Sequence, residues 1–140
     1  MKKYTLEKVE AFADGEQDEM VECTLYRICA LDNIPEYNVF KGDLGGFVSC
    51  ERNLSHTGAC WIAGNAKVLG AAVVTDNALV RDEAIIDGEA RVCGNACVAE
   101  YGIVTDSATV TDTATVAGTA RVEGNAHVGG HAFIDGECVI

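Results

Sequence analysis

Proline occurs once in this chain, at Pro35, tryptophan once, at Trp61, and aromatic residues make up only 6% of its 140 residues. A wide core filled by rings is therefore excluded, and any interior must be narrow and built from smaller side chains. Basic residues are scarce as well. The formal net charge is −12, and after residue 55 only Lys67, Arg81, Arg91 and Arg121 are basic. A nucleic-acid groove needs clustered Lys and Arg against phosphates, and anionic membrane surfaces attract the same clusters, so neither partner is expected. No run approaches the ~18 apolar residues of a membrane span. Met1-Lys2-Lys3 leads into polar and acidic residues rather than an apolar signal segment. The seven cysteines are an odd number without framework spacing, which points to a reduced, cytoplasmic protein. Cys93 and Cys97 lack further ligands at zinc-site spacing, and no metal is expected.

What the chain has in abundance is repetition. Fourteen positions spaced six apart, from Ile62 to Ile140, are all Val or Ile. Two residues before each sits a small side chain: Ala eleven times between Ala66 and Ala132, with Gly102 and Cys138 as substitutes and Cys60 opening the series. Two residues after each aliphatic comes Gly or Asp, with Glu100 the single departure. So strict a period predicts a solenoid. In Ala90-Arg91-Val92-Cys93-Gly94-Asn95, alternation turns Ala90 and Val92 inward and Arg91 outward, and Gly94-Asn95 form a corner. Corners need backbone angles that Gly, Asn and Asp tolerate best. One hexad per side and three sides per turn give a coil of ~18 residues, so residues 50–140 make about five coils stacked ~4.8 Å apart. A lone hexad buries one Val or Ile, worth ~1.5–3 kcal/mol, while fixing each backbone unit costs ~1–2 kcal/mol. Rung-to-rung hydrogen bonds and stacked columns must therefore supply the stability.

Residues 1–47 do not repeat. Lys3–Val9 and Val21–Leu31 are rich in strand formers and flank a polar stretch from Ala13 to Glu19, which predicts a β-hairpin. The hairpin reads as a cap that shields the first rung from solvent, and Asn33–Asn38 as a connector. The expected organisation is a hairpin cap and connector over 1–47 and an all-β, single-stranded parallel β-helix over 48–140.

The pattern aliphatic-x-Gly/Asp-x-Ala-x resembles the hexapeptide repeat of left-handed parallel β-helices, a superfamily that includes many acyl- and acetyltransferases. Lys41-Gly42-Asp43-Leu44-Gly45-Gly46-Phe47-Val48, Asn53-Leu54-Ser55, Gly58-Ala59-Cys60-Trp61-Ile62 and Leu25-Tyr26-Arg27-Ile28 resemble the start of the YdcK-like family of hexapeptide-repeat proteins. The resemblance implies left-handedness and frequent trimers. That family is labelled transferase from its fold, and the resemblance transfers no established reaction or catalytic residue.

An acyltransferase needs a general base, usually His, and a groove for the pantetheine arm of acyl-CoA. From Ile62 to Val139 the hexads run without one inserted residue, so no excursion loop is expected there. His127 occupies an outward strand position and His131 the following corner; they are the candidate catalytic residues if the chain is an enzyme. His56 is read as a residue of the first coil. Glu100 and Tyr101 break two slots of their hexad and form a possible pocket, with Gly102 read as making room for the bulkier corner. The corner carboxylates Asp76, Asp82, Asp106 and Asp112 are read as turn chemistry rather than a calcium site.

Taking every eighteenth outward residue gives Trp61, Leu79, Cys97, Thr115 and Phe133 on one side, largely apolar for an exterior surface. This side is the expected oligomer interface, for a trimer around a flat face. Ile134, Cys138, Val139 and Ile140 form a C-terminal edge that end-to-end pairing would cover. The leading expectation is a non-catalytic oligomeric scaffold that requires no cofactor. An acyl-CoA-dependent acyltransferase with a site between subunits is the alternative, and a polymer-forming β-helix is the second.

Overall fold

The computed structural model describes residues 3–12 and 22–137. Its repeat region is a left-handed parallel β-helix of about five turns. After each inward Val or Ile the chain turns through one residue in the left-handed backbone region, at φ between 57° and 77° from Gly58 to Gly136. Every such residue is Gly or Asp except Glu100, so the slot seen in the sequence is a backbone requirement. Each corner begins a new two-residue strand, and every third strand stacks on the same face.

Three faces result. One holds β4 (Trp61–Ile62), β7 (Leu79–Val80), β10 (Cys97–Val98), β13 (Thr115–Val116) and β16 (Phe133–Ile134), all paired in parallel. A second holds β5 (Lys67–Val68), β8 (Ile85–Ile86), β11 (Ile103–Val104) and β14 (Arg121–Val122). The third holds β6 (Val73–Val74), β9 (Arg91–Val92), β12 (Thr109–Val110) and β15 (His127–Val128). Each coil donates N–H groups to carbonyls of the next, as in Ala63 to Val80 at 2.8 Å and Arg81 to Val98 at 2.9 Å. The inward aliphatics and the Ala slot fill one continuous interior. Burial loosens at Ile134, which is half-buried on the last described rung; Cys138, Val139 and Ile140 of the expected C-terminal edge lie outside the described residues.

The hairpin forms as expected, from β1 (Tyr4–Phe12) and β2 (Glu22–Ala30). It continues the second face rather than lying across the end of the prism. β2 pairs antiparallel with β3 (Leu44–Val48), which pairs in parallel with β5. Tyr4, Ile28 and Ala30 are buried in the same core as the coils. β3 straddles the boundary expected at residue 47.

The coil also begins earlier than the strict repeat. Val48 pairs with Val68, Leu54 bridges to Val74, and Ile62 pairs with Val80. These three residues complete a first coil that carries two extra residues between Leu54 and Ile62. Gly45 and Gly46 let β3 approach that closely. A Cβ on Gly45 would lie 2.5 Å from the Ile62 carbonyl oxygen, and one on Gly46 would lie 2.5 Å from that of Ala66. Asn53 is buried beneath the turn that follows: its Oδ1 accepts the N–H groups of Ser49 and Cys50, and its Nδ2 donates to the carbonyls of Gly70 and Ala72. No helix among the described residues is long and apolar enough to cross a membrane.

Candidate functional site

Trp61, Leu79, Cys97, Thr115 and Phe133 do stack in one register on one face. Their exposure differs along the column. Trp61 is only 1% exposed, so it is not available as an interface residue on a free surface. The connector folds back through an Ile34–Val39 bridge, and Tyr37 donates its hydroxyl hydrogen to the Asn77 carbonyl. Tyr37 and Trp61 then share the walls of a cavity of about 480 Å³ with Leu79, Arg81 and Cys97. Burial pushes the Tyr37 hydroxyl pKa up, reinforced by Cys97. The Cys97 thiol in turn favours the charged form of Arg81. Below this patch the column opens out, and Phe133 is 65% exposed. Beside it Ala99 and Ala117 are buried although they stand on the outer side of their strands, so the surface there is flat.

Glu100 and Tyr101 lie at the corner between the first and second faces. Glu100 adopts φ 57° and accepts the Gly118 N–H at 2.7 Å, while its own N–H donates to Asp82 at 3.0 Å. Asp76, Asp82, Asp106 and Asp112 each accept the N–H of the residue eighteen positions on. Glu100 therefore performs the same corner task with a longer arm. Where the preceding coil has Gly at that position, Asp87 and Asp135 bond the next N–H, of Gly88 and Gly136, themselves. At Gly102 an added Cβ would meet Val116 Cγ1 and the Ala99 carbonyl oxygen, both at 3.2 Å, so inner packing favours glycine there. Tyr101 projects outward and is 58% exposed, beside a groove of about 650 Å³ along the corner.

His127 is exposed on β15, opposite Thr109. His131 is exposed at the next corner, its Nδ1 2.6 Å from Thr113 Oγ1. The Thr113 hydroxyl also lies 3.0 Å from the Gly130 carbonyl, to which it can donate. Among the described residues no group of three or more His, Cys, Asp or Glu is placed to hold a metal ion.

A cluster the repeat pattern does not announce sits where the two extra residues bulge from the first coil. Lys3, 8% exposed, donates its ammonium hydrogens to the carbonyls of Gly58 and Cys60 and lies 3.3 Å from the Cys60 sulfur. Its backbone N–H donates to His56 Nδ1 at 3.1 Å. The His56 proton thus resides on Nε2, 2.7 Å from the Glu51 carboxylate. The His56 ring stacks on Tyr4 with centroids 4.1 Å apart. Burial outweighs Lys3 and raises the Cys60 thiol pKa, which makes it a poor nucleophile. Every reactive-looking group here is spent on fastening β1 to the first coil. Only a break in spacing between Leu54 and Ile62 hinted at this cluster in the sequence.

No protein-family model matches the chain, and no curated protein matches it.

Proposed function

We propose that this chain is a rigid, non-catalytic scaffold of the hexapeptide-repeat type that associates with copies of itself through the face of β4, β7, β10, β13 and β16. The observation that carries the reading is the outer column of that face. Leu79 and Cys97 line the pocket beside the connector, and Thr115 and the exposed Phe133 continue the column beyond it, next to buried Ala99 and Ala117. A flat strip with small flanking residues suits close approach of a second copy around a symmetry axis. The YdcK-like resemblance of residues 41–62 agrees with it, and the proposal includes a cytoplasmic, reducing location for a chain in which Cys29, Cys50, Cys60, Cys93 and Cys97 are free.

The rival is an acyl-CoA-dependent acyltransferase. It is favoured by one feature, the hydrogen bond that orients His131 against Thr113. Calorimetric titration of acetyl-CoA and coenzyme A into the protein separates the two. The scaffold reading expects no heat of binding in the millimolar range. Micromolar binding weakened by His127→Ala or His131→Ala would overturn it and install the transferase in its place.

A further inference from the structure

The geometry points to a binding site for a neutral oligosaccharide along the corner that carries Tyr101. Four successive coils each bring one residue to the outer position of this corner: Asn65, Glu83, Tyr101 and Thr119. They border a groove of about 650 Å³ that spans three rung spacings, or about 14 Å. Among the described residues, the side chains of Asn65, Glu83 and Tyr101 make no hydrogen bond within the chain. An amide, a carboxylate and a phenol therefore face outward in consecutive rungs with their hydrogen-bonding capacity unspent.

The aromatic ring decides the class of ligand. Tyr101 offers a large, rigid, amphipathic surface at little entropic cost, and the residue stands 58% exposed. Gly102 is explained by the interior and Glu100 by its bond to Gly118, which leaves Tyr101 as the feature of this hexad without a structural task. A pyranose ring presents an apolar face to such a surface and a rim of hydroxyls to polar neighbours. Carboxylates accept vicinal hydroxyls through charge-assisted bonds, and Glu83 is placed one rung from the ring to do so. The rung spacing of ~4.8 Å is close to the length each pyranose adds to an extended glycan, so successive sugars meet successive rungs. Asp82, Glu83 and Glu100 make the corner acidic, which excludes anionic glycans by like-charge repulsion.

The test is calorimetric titration of the full chain with cellohexaose, maltohexaose and chitohexaose, and with oligogalacturonate as the anionic probe. At least one neutral hexamer is expected to bind and the anionic probe is not. Tyr101→Ala should weaken that binding at least tenfold, Glu83→Gln should weaken it less, and Tyr101→Trp should preserve it. Circular dichroism checks that each variant remains folded; Tyr101 is exposed, and its loss should leave the coil intact. Absence of binding by every neutral hexamer, or binding that survives Tyr101→Ala, would overturn the assignment. So would a change in oligomeric mass on Tyr101→Ala, which would give the corner to a second copy of the chain.

Discussion

The Glu100 carboxylate holds the backbone N–H of Gly118, one full coil away, at 2.7 Å. The two residues face each other across a corner that must turn through the left-handed region, where a Cβ crowds the following carbonyl oxygen at a cost of roughly 1–2 kcal/mol. Glu100 bears that cost and offsets it with a hydrogen bond to a charged acceptor. Glu100→Ala keeps the cost and loses the acceptor, whereas Glu100→Gly loses both. Glu100→Gly should therefore be the more stable of the two by about 1 kcal/mol, and Glu100→Asp, the residue used at four other corners, should be at least as stable as the parent. Urea midpoints at unchanged m-value provide the comparison. An alanine variant as stable as the glycine variant would remove the strain argument.

Gly45 and Gly124 make a contrasting pair. Gly124 turns at φ 65°, yet a Cβ there meets nothing within 4 Å. Gly45 has no such backbone demand, but its Cβ would press on the Ile62 carbonyl oxygen at 2.5 Å and on Ile28. Gly45→Ala should cost about 1–3 kcal/mol through overpacking and Gly124→Ala about 1 kcal/mol through backbone strain. Thermal and urea unfolding of both variants checks the order; the reverse order would mean that β3 shifts away from the first coil without penalty.

Tyr4 sets an alkaline limit on stability. Burial, then the nearby Glu51, raises its pKa well above the ordinary value of 10.0. A raised folded-state pKa means that the unfolded chain loses the proton first. The contribution of Tyr4 is therefore complete below about pH 10 and is lost as pH climbs towards the folded-state value. Burial of Cys60 acts with the same sign from its own ordinary value of 9.0 upward. Tyr4→Phe should lower stability at neutral pH, because the hydroxyl reaches the Glu51 and Leu54 carbonyls, yet it should flatten the decline above pH 10. Unfolding free energies measured from pH 8 to 11 test this, and an equally steep decline in the variant would count against it.

Much of this architecture was legible in the residues. The period of Val and Ile named the inward column, and the Gly/Asp slot named the corner because a left-handed turn tolerates few side chains. The first coil was legible in its extent, from residue 48, but not in its inward residues. Val48 and Leu54 sit in inward slots, but the two extra residues before Ile62 put them out of phase with the repeat. Trp61 was legible as outward and not as covered, because its cover comes from Ile34–Val39, far away in sequence and without periodicity. The Lys3–His56–Glu51 fastening was hidden for the same reason: its partners lie 53 residues apart and meet only through the hairpin. The corner role of Glu100 needed a coordinate, namely the position of an N–H one coil away.

The measurement closest to the central claim is the mass of the protein in solution by sedimentation equilibrium, with Leu79→Glu and Phe133→Lys beside the parent. Self-association through the face of Leu79, Cys97, Thr115 and Phe133 predicts a concentration-limited oligomer, a trimer around that face, which each substitution reduces to a monomer without loss of fold. A parent chain that sediments as a monomer, or an oligomer whose mass both substitutions leave unchanged, would contradict it.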